Sequence, residues 1–568
     1  MHIQVKDKIG KNKKYSAHDI VNLLLKSRNI DDIETFLAPP SPLMYSLSDF
    51  GFTKKQINHA MNVLKRVYDE RRTIVVYTDY DADGITGGSI LWETLHLLGF
   101  QVMPYVPDRK TEGYGFSVRG IDRVKKEFDP GLIISVDHGI TGVTQVSYAK
   151  SLGIPVIVTD HHHKQEKIPD DAVAIFHIPA LSGSGTAYYV AKEIFEYFKT
   201  QNENLKRLET MFKTDYLALA TIGTVADLVP LLGQSRSLVS AGLAAFPRVK
   251  RHGIRQIIKQ SEIEDKDISP YEIGFVIAPR INAVGRLEHG LDALRLLCTT
   301  DEARATELAH KVGDLNTSRQ DLVKKQVVEA VAQVEKMDTI PPIIILSSDN
   351  WHEGVIGLIA SQILEKYYRP TIIMTRGDGF YKASARSIPG FHMTDFLTEL
   401  SSYLTNFGGH AAAAGFTLPV ANLDTFIDSA VKKAGEQLHD SDLERSYTAD
   451  LEIPLSFLTK ELVRRIQTLA PFGIGNPTPT FLSNVEVLHA KVMGRDKNHL
   501  KLAVREPGSS MFPFDMVAFG QAELFPTLTK NQNLSVVYQL GINVWNGKES
   551  LQGMVKVIAD VGEKNIKE

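Results

Sequence analysis

Apolar and polar positions alternate along this chain in three successive textures. From about residue 73, short near-continuous apolar runs, TIVVYT (73–78), VMPYV (102–106), GLIISV (131–136) and PVIVT (155–159), are separated by amphipathic stretches such as GGSILWETLHLLG (87–99) and VRGIDRVKKEF (118–128). Runs without a polar face are what strands buried on both sides require, and the helices between them supply the cover. The rhythm is βαβ, and it predicts a parallel sheet.

Residues from about 186 to 335 read as mostly helical and end in a long polar segment in which Val323, Val327, Val331 and Val334 recur at helical spacing. We expect a long connecting helix with one packed side, stopped by Pro341 and Pro342. A shorter α/β pattern follows, with IIIL (343–346), VIGLIASQILEKYY (355–368), TIIMT (371–375) and a helix from about 421 to 438. After HDSDLERS (439–446) the pattern alternates, as in HLKLAV (499–504), and LSVVYQLGINVW runs into Asn546-Gly547, a hairpin signal. The last ~100 residues are expected to form a small antiparallel β module, with an oligonucleotide-binding barrel as one candidate. The predicted fold class is α/β and multidomain. Its divisions are an N-terminal segment (1–50), a catalytic parallel-sheet domain with a helical part (51–300), the connecting helix (301–338), a smaller α/β domain (339–440) and the β module (447–560).

Composition narrows the class. At ~100–200 residues per domain, 568 residues hold about three to five domains. A content of 43% hydrophobic and 23% charged residues excludes a disordered or fibrous chain. Lys plus Arg number 64 against 67 Asp plus Glu, which excludes a uniformly basic nucleic-acid binder but not a local basic groove. Cys298 stands alone, so neither an intramolecular disulfide nor a cysteine-based zinc site can form, which suits a reducing, cytoplasmic setting. The opening MHIQVKDKIGKNKKYS lacks the apolar region of a secretory leader, and the most apolar stretch carries Asp227 and Pro230, so neither export nor a membrane span is expected.

The chemistry concentrates at strand ends. TDYDADG (78–84) closes the first strong strand, and if the chain stays extended Asp79, Asp81 and Asp83 project to one side. An acidic turn capping the following helix is the plainer alternative for that segment taken by itself. The next strand ends in SVDHG (135–139) and the one after in VTDHHH (158–163), adding Asp137, Asp160, His161, His162 and His163, while Asp227 interrupts an apolar helix. Parallel strands deliver such residues to one sheet edge, where open α/β sheets bind ligands. Carboxylates with imidazoles suit Mn²⁺, Mg²⁺ or a similar ion, and the donors suffice for two. Two ions can hold a phosphodiester and activate water, so the chemistry predicted is metal-assisted phosphoester hydrolysis.

In order and approximate spacing, DYDADG, VDHG, the Asp160-His161-His162 triplet and VADLVP resemble the four motifs of the DHH phosphoesterase superfamily. PDRKTEGYG (107–115), PRINAVGRL (279–287), WHEGVIGLIASQIL (351–364), SARS (384–387), GGHAAAAGF (408–416) and PFGIGNPTPTF (471–481) extend the likeness over roughly residues 70–560. Together they are similar to the DHH/DHHA1 branch of single-strand-specific 5′→3′ exonucleases. The resemblance implies a DHH domain, a DHHA1 domain closing over a cleft, and a C-terminal barrel guiding DNA. It implies Asp79, Asp81, Asp83, Asp137, His161 and Asp227 as ligands of two Mn²⁺ or Mg²⁺ ions, with Asp137, His161, His162 and Asp227 as the catalytic group. Asp160 is expected to orient a histidine, and His163 to be structural or solvent-facing rather than catalytic. Tyr77 stands where pyrophosphatase-like members carry an early His, a departure that fits the exonuclease branch.

For substrate grip, Arg109, Arg280, Arg286, Ser384 and Arg386 are candidates because guanidinium forks match phosphate oxygens, and Asn282 joins them, with bracing of turns as the alternative for Asn282 and Arg286. Gly408, Gly409 and His410 resemble the DHHA1 signature, the glycines allowing close approach to a phosphate or base. In the β module, Lys491, Arg495, Lys497, Lys501 and Arg505 form a basic stripe or a solvated face, and Phe514, Phe519 and Trp545 are stacking or core residues. The activity implied is release of mononucleotides from single-stranded DNA with a 5′ end, in recombination and repair, by a monomer assisted by a helicase and a single-strand-binding protein. The rivals are a phosphodiesterase of short oligonucleotides or cyclic dinucleotides, and a non-catalytic DNA-binding scaffold.

Overall fold

Five of the apolar segments become the strands β1 (Ile74–Thr78), β2 (Val102–Tyr105), β3 (Leu132–Val136), β4 (Val156–Asp160) and β5 (Ala174–His177), paired in the order β2-β1-β3-β4-β5 with every neighbour parallel. Alternate residues of one strand enter two different cores. Ile74, Val76, Ile134, Val136 and Ile157 pack with Leu91 and Leu95 of α1 (Ala82–Leu97). Val75, Tyr77, Ile133, Val156 and Val158 pack with Ile121 and Val124 of α2 (Val118–Phe128) on the other face. Each fully buried Ile or Val contributes about 1.5–3 kcal/mol, so both faces of the sheet are committed and its strand ends are held rigidly.

The structure is a computed structural model that describes residues 2–10, 14–109, 111–113, 115–199, 204–510, 512–529 and 532–560. The described chain falls into two compact units. The first comprises Ala38–Lys325 with Pro471–Asn476; the second takes the described residues up to Leu37, then Gln326–Ala470, then those from Pro477 on. Helices fill the remainder of the first unit, among them α3 (Gly183–Phe198), α4 (Asp215–Ala226) and α5 (Ala278–Leu287), the last preceded by a helical turn over Pro270–Glu272 and a π-helical stretch over Ile273–Ile277. Pro471–Asn476 joins this unit because the Leu231 amide donates to the Ile474 carbonyl (2.8 Å) and buried Arg236 donates to the Pro471 carbonyl (3.2 Å). The long helix predicted from the valine spacing is α6 (Glu302–Val334), with Val323 and Val334 buried and Val328 exposed.

In the second unit, β6 (Ile344–Ser348), α7 (Ile356–Tyr367), β7 (Thr371–Arg376), β8 (Phe380–Arg386), β9 (Asn406–Gly409), β10 (Ala413–Pro419) and α8 (Leu423–Gln437) form a small α/β layer, with strand order β9-β10-β8-β7-β6. The β6–β7 pair, joined through α7, is parallel and the other pairs are antiparallel. Beyond it, β11 (Thr480–Met493), β12 (His499–Arg505), β13 (Phe514–Ala518), β14 (Asn533–Trp545) and β15 (Lys548–Asp560) close into a barrel in the order β11-β12-β13-β15-β14 and back to β11. The β module is a barrel, antiparallel as expected except at β13–β15, which is parallel. Five strands in a ring cannot alternate direction all the way round, so one pair must agree. Asn546 and Gly547 both have positive φ, 48° and 73°, the turn that a two-residue hairpin needs. His2–Val5 pairs in parallel with Ser446–Ala449, so the start of the chain belongs to this second unit.

Candidate metal centre

In a doubly wound sheet of this order the chain leaves β1 and β3 on opposite sides, so their carboxyl ends bound a crevice. Asp79 follows β1 and Asp137 follows β3. After β1 the chain does not stay extended. Asp81 is the N-cap of α1, its carboxylate accepting from the Asp83 and Gly84 amides at 3.0 Å each, and Asp83 lies in the first helical turn. Capping and the crowding of carboxylates are therefore both realised: a strand end, a cap and a first turn bring the three Asp residues together. Gly84 permits this approach, since a Cβ there would lie 2.8 Å from that of Asp79.

Asp137 has φ +67°, a left-handed conformation that Asp tolerates better than most residues. His161 and His162 follow β4, and Asp227 is the C-cap of α4. Ligand atoms of Asp79, Asp81 and Asp137 lie within 4.8 Å of one another, as do those of Asp83, His161 and Asp227, and those of Asp137, His161 and His162. His161 Nε2 stands 3.2 Å from Asp137, 3.4 Å from Asp227 and 3.9 Å from Asp83. The start of α3 completes the floor: the Gly183 and Ser184 amides donate to the two Asp83 oxygens at 2.6 and 2.9 Å. None of the motifs above includes these residues, although the run SGSG (182–185) at a helix start is a recognisable anion cradle.

Both oxygens of Asp79, one of Asp137 and the Nε2 of His161 are buried without a hydrogen-bond partner among the described residues. Leaving such an atom bare costs about 1–3 kcal/mol, and more when charged. Like charges 4–5 Å apart add about 3–4 kcal/mol per pair at an effective dielectric near 20. Burial, then the charge of Asp81, accordingly raises the Asp79 carboxyl well above its usual range; burial and Asp83 do the same to Asp137 and push Asp227 up to about 8. Burial holds His161 below its ordinary value, in the neutral form that ligates. Bare carboxylate oxygens beside one neutral imidazole fit divalent Mn²⁺ or Mg²⁺.

His162 differs. Burial would lower it, but the hydrogen bond of Nδ1 to Asp160 (2.8 Å) and the charge of that carboxylate lift it to about 9. Asp160 also accepts from the amides of His161 (2.7 Å), His162 (3.1 Å) and Ile140 (2.8 Å). It is thus engaged in orienting this loop, and His163 is exposed. His138, the neighbour of Asp137, is buried with its ring against Tyr77 and Phe116, and burial lowers it to about 4.

The substrate-grip candidates separate by unit. In the first, Arg109 lies over the Tyr80 ring, 5.3 Å from its centroid, in a segment whose Lys110 and Tyr114 fall outside the described residues. Arg280 donates to the Val276 carbonyl (2.7 Å), and Arg286 is half-buried near Tyr80. Asn282 braces, the alternative open for it: its side-chain oxygen accepts from the Ala82 amide at 2.7 Å, so α5 holds the metal loop. In the second unit, Arg386 donates to the hydroxyls of Ser361 (3.2 Å) and Ser384 (3.3 Å) and to the Ala385 carbonyl (2.8 Å), with no carboxylate partner among the described residues. Gly408 and Gly409 form the edge strand β9, and His410 turns the hairpin, its amide donating to the Ala413 carbonyl (2.8 Å). In the barrel, Arg505 is paired with Glu486 (2.8 Å) and Lys501 with Asp515 (2.6 Å), which leaves Lys491, Arg495 and Lys497 of the basic stripe. Phe514 is half-buried, while Phe519 and Trp545 are exposed.

A parallel sheet whose switch point gathers buried carboxylates and a histidine, followed by a second α/β domain, defines a metal-dependent phosphoesterase of the DHH class. Residues 73–224 match the family model of the DHH family N-terminal domain, 340–436 that of the DHHA1 domain and 449–557 that of the RecJ OB domain. The chain is 35% identical over 543 residues to the single-stranded-DNA-specific exonuclease RecJ of Bacillus subtilis, spanning 94% of this chain and 67% of that one. It is 31% identical over 570 residues to RecJ of Haemophilus influenzae, spanning 96% and 97%. Crystal structures of Thermus thermophilus RecJ are similar to it, in complex with Mn²⁺ at a TM-score of 0.80 and 27% identity over 98% of this chain and 80% of that one, and with Mg²⁺ at 0.74 and 25% over 98% and 79%. The chain belongs to the RecJ family of single-stranded-DNA-specific exonucleases. No helix among the described residues is long and apolar enough to cross a membrane.

Proposed function

We infer that this chain is a divalent-metal-dependent exonuclease that degrades single-stranded DNA from the 5′ end and releases mononucleotides. One observation carries the reading: the buried, unpartnered oxygens of Asp79 and Asp137 at the switch point of the sheet, with an Asp137 oxygen 3.2 Å from the bare Nε2 of His161. Asp79, Asp81, Asp83, Asp137, His161 and Asp227 would hold Mn²⁺ or Mg²⁺, two ions by the number of donors. Bound there, such ions activate water and neutralise the phosphate undergoing attack. His162, kept cationic by Asp160, faces the same carboxylates, with Nδ1 3.9 Å from an Asp137 oxygen, and serves to hold a phosphate oxygen against them. Arg386, with Ser384 beside it, is a charge-uncompensated guanidinium on a hydroxyl-rich face, suited to a terminal phosphate. Single-strand restriction implies that other activities expose the strand, a helicase and a single-strand-binding protein being the partners expected, with the enzyme a cytoplasmic monomer.

The test is digestion of a long 5′-phosphorylated single strand in Mn²⁺ by the wild type and by Asp137→Asn, a variant that keeps the shape and tolerates positive φ. The wild type should release mononucleotides progressively from the 5′ end, and the variant should lose at least 10³-fold in rate while still binding the strand. Near-wild-type activity in Asp137→Asn would remove the metal assignment, and activity confined to di- and trinucleotides would replace this substrate with the short-oligonucleotide one.

A further inference from the structure

On the first unit, Tyr271 and Phe275 are 63% and 71% exposed, yet their rings are ordered against each other, with centroids 4.9 Å apart and planes 29° from parallel. They project from a helix whose other side is anchored, since Ile273 and Ile277 are buried and a Ser269–Glu272 capping box fixes the start. Phe275 sits within the π-helical stretch Ile273–Ile277, a rare geometry that recurs at functional sites. Two large apolar rings in water at neighbouring positions are unfavourable unless something covers them.

The helix itself says what lies nearby. It continues through α5, where Asn282 accepts from the Ala82 amide of the metal loop and Gly285 abuts the Tyr80 carbonyl. At a rise of 1.5 Å per residue, Phe275 and Tyr271 stand ~10 and ~16 Å along the axis from Asn282. With stacked nucleotides ~3.4 Å apart, that is about three to five nucleotides from the metal loop. Arg280 reaches back to the carbonyl of Val276, the residue after Phe275, which sets a guanidinium one turn from the rings on their metal-loop side. Gly274 lies 3.8 Å, measured from an added Cβ, from Val225, two residues before Asp227, so the aromatic turn adjoins the helix end that supplies a ligand.

We propose that Tyr271 and Phe275 form a base-stacking platform for the single-stranded substrate about three to five nucleotides from the scissile phosphate, with Arg280 contacting the backbone beside it. The proposal rests on the single-strand exonuclease reading above. Stacking on an aromatic face is indifferent to base identity, as a non-specific nuclease requires. The rings act as positioning residues, since they touch the strand away from the reacting atoms.

The experiment measures affinity for oligo-dT of two to twelve nucleotides in the binding-competent Asp137→Asn background, with and without Tyr271→Ala/Phe275→Ala. Affinity should climb steeply as the oligonucleotide passes three to five nucleotides, and the double substitution should flatten that step by about tenfold or more, with the step restored by Tyr271→Phe/Phe275→Tyr. 2-Aminopurine at the fourth position from the 5′ end should be quenched on binding, and the double substitution should relieve the quenching. An unaltered length dependence and unaltered quenching in the double variant would overturn the platform. So would unaltered DNA affinity combined with loss of self-association or of a protein partner, which would make the rings a protein contact. Failure of the exonuclease reading would show separately, as absence of single-strand digestion by the wild type.

Discussion

At the scale of single residues, the metal centre depends on glycines as much as on carboxylates. A Cβ at Gly183 would overlap the Asp137 carboxylate, and one at Gly223 would overlap Ser184 and an Asp83 oxygen. Gly183→Ala should therefore leave the sheet folded but displace Asp137, lowering Mn²⁺ affinity by 10-fold or more and hydrolysis by about 10²-fold, because a displacement of ~1 Å at a reacting group costs about that much. Calorimetric titration of Mn²⁺ beside a single-turnover assay reads both; unchanged metal affinity would show that Asp137 has room to move. The candidate ligands stand out in the sequence because each lies at a strand end or a helix end, where an Asp or His breaks an apolar run. Gly183 and Gly223 do not, since a glycine required by a side chain 46 residues away, as Asp137 is for Gly183, or 140 away, as Asp83 is for Gly223, leaves no local signal. Asn282 carried two readings, phosphate contact and bracing, and no local signal favoured the brace, because its partner, the Ala82 amide, lies 200 positions distant.

At the scale of elements, α1 and α5 work as a pair. The first four amides of a helix lack internal acceptors; α1 satisfies two of its own with Asp81, and α5 lends Asn282 to the amide of Ala82. Asn282→Ala leaves that amide without its acceptor and should cost about 1 kcal/mol, the usual loss for a helix cap. Because the freed turn carries Asp81 and Asp83, metal affinity should fall with stability, while Asn282→Asp, which restores an acceptor oxygen but adds a fourth charge to the loop, should recover the capping and not the hydrolysis rate. Urea unfolding with a Mn²⁺ titration separates the two effects; equal stability for Asn282→Ala and wild type would mean that water replaces the brace. The elements were the most readable level of this fold. Buried parallel strands and the packed stripe of α6 follow from periods of 2 and 3.6 that survive in any register. The one parallel pair of the barrel did not follow, because ring closure is a property of five strands together.

At the scale of the whole molecule, the units are not the contiguous blocks that composition suggests. The described residues up to Leu37 join the second unit through the pairing of His2–Val5 with Ser446–Ala449, and Pro471–Asn476 returns to the first. Contacts across more than 200 residues, such as His2 with Ser446 and Leu231 with Ile474, leave no periodic trace in the chain, so its texture does not show these returns. The candidate metal ligands lie wholly in the first unit, so metal bound by them would act on the unfolding of that unit. At a free Mn²⁺ concentration a hundred times its Kd, linkage contributes about 2.7 kcal/mol, which for a unit of this size raises the Tm by about 5 °C. Without metal the carboxylates oppose one another, and breaking that repulsion is worth more than the hydrogen bonds Asp137 gives up, since one of its oxygens has none. Asp137→Asn should therefore be more stable than the wild type in EDTA, by about 1–3 kcal/mol, and should gain little from Mn²⁺. Scanning calorimetry of both proteins in EDTA and in Mn²⁺ gives the four values needed. A variant less stable than the wild type in EDTA would show that Asp137 is held by contacts other than a cation, and that the strain at this sheet edge is not electrostatic.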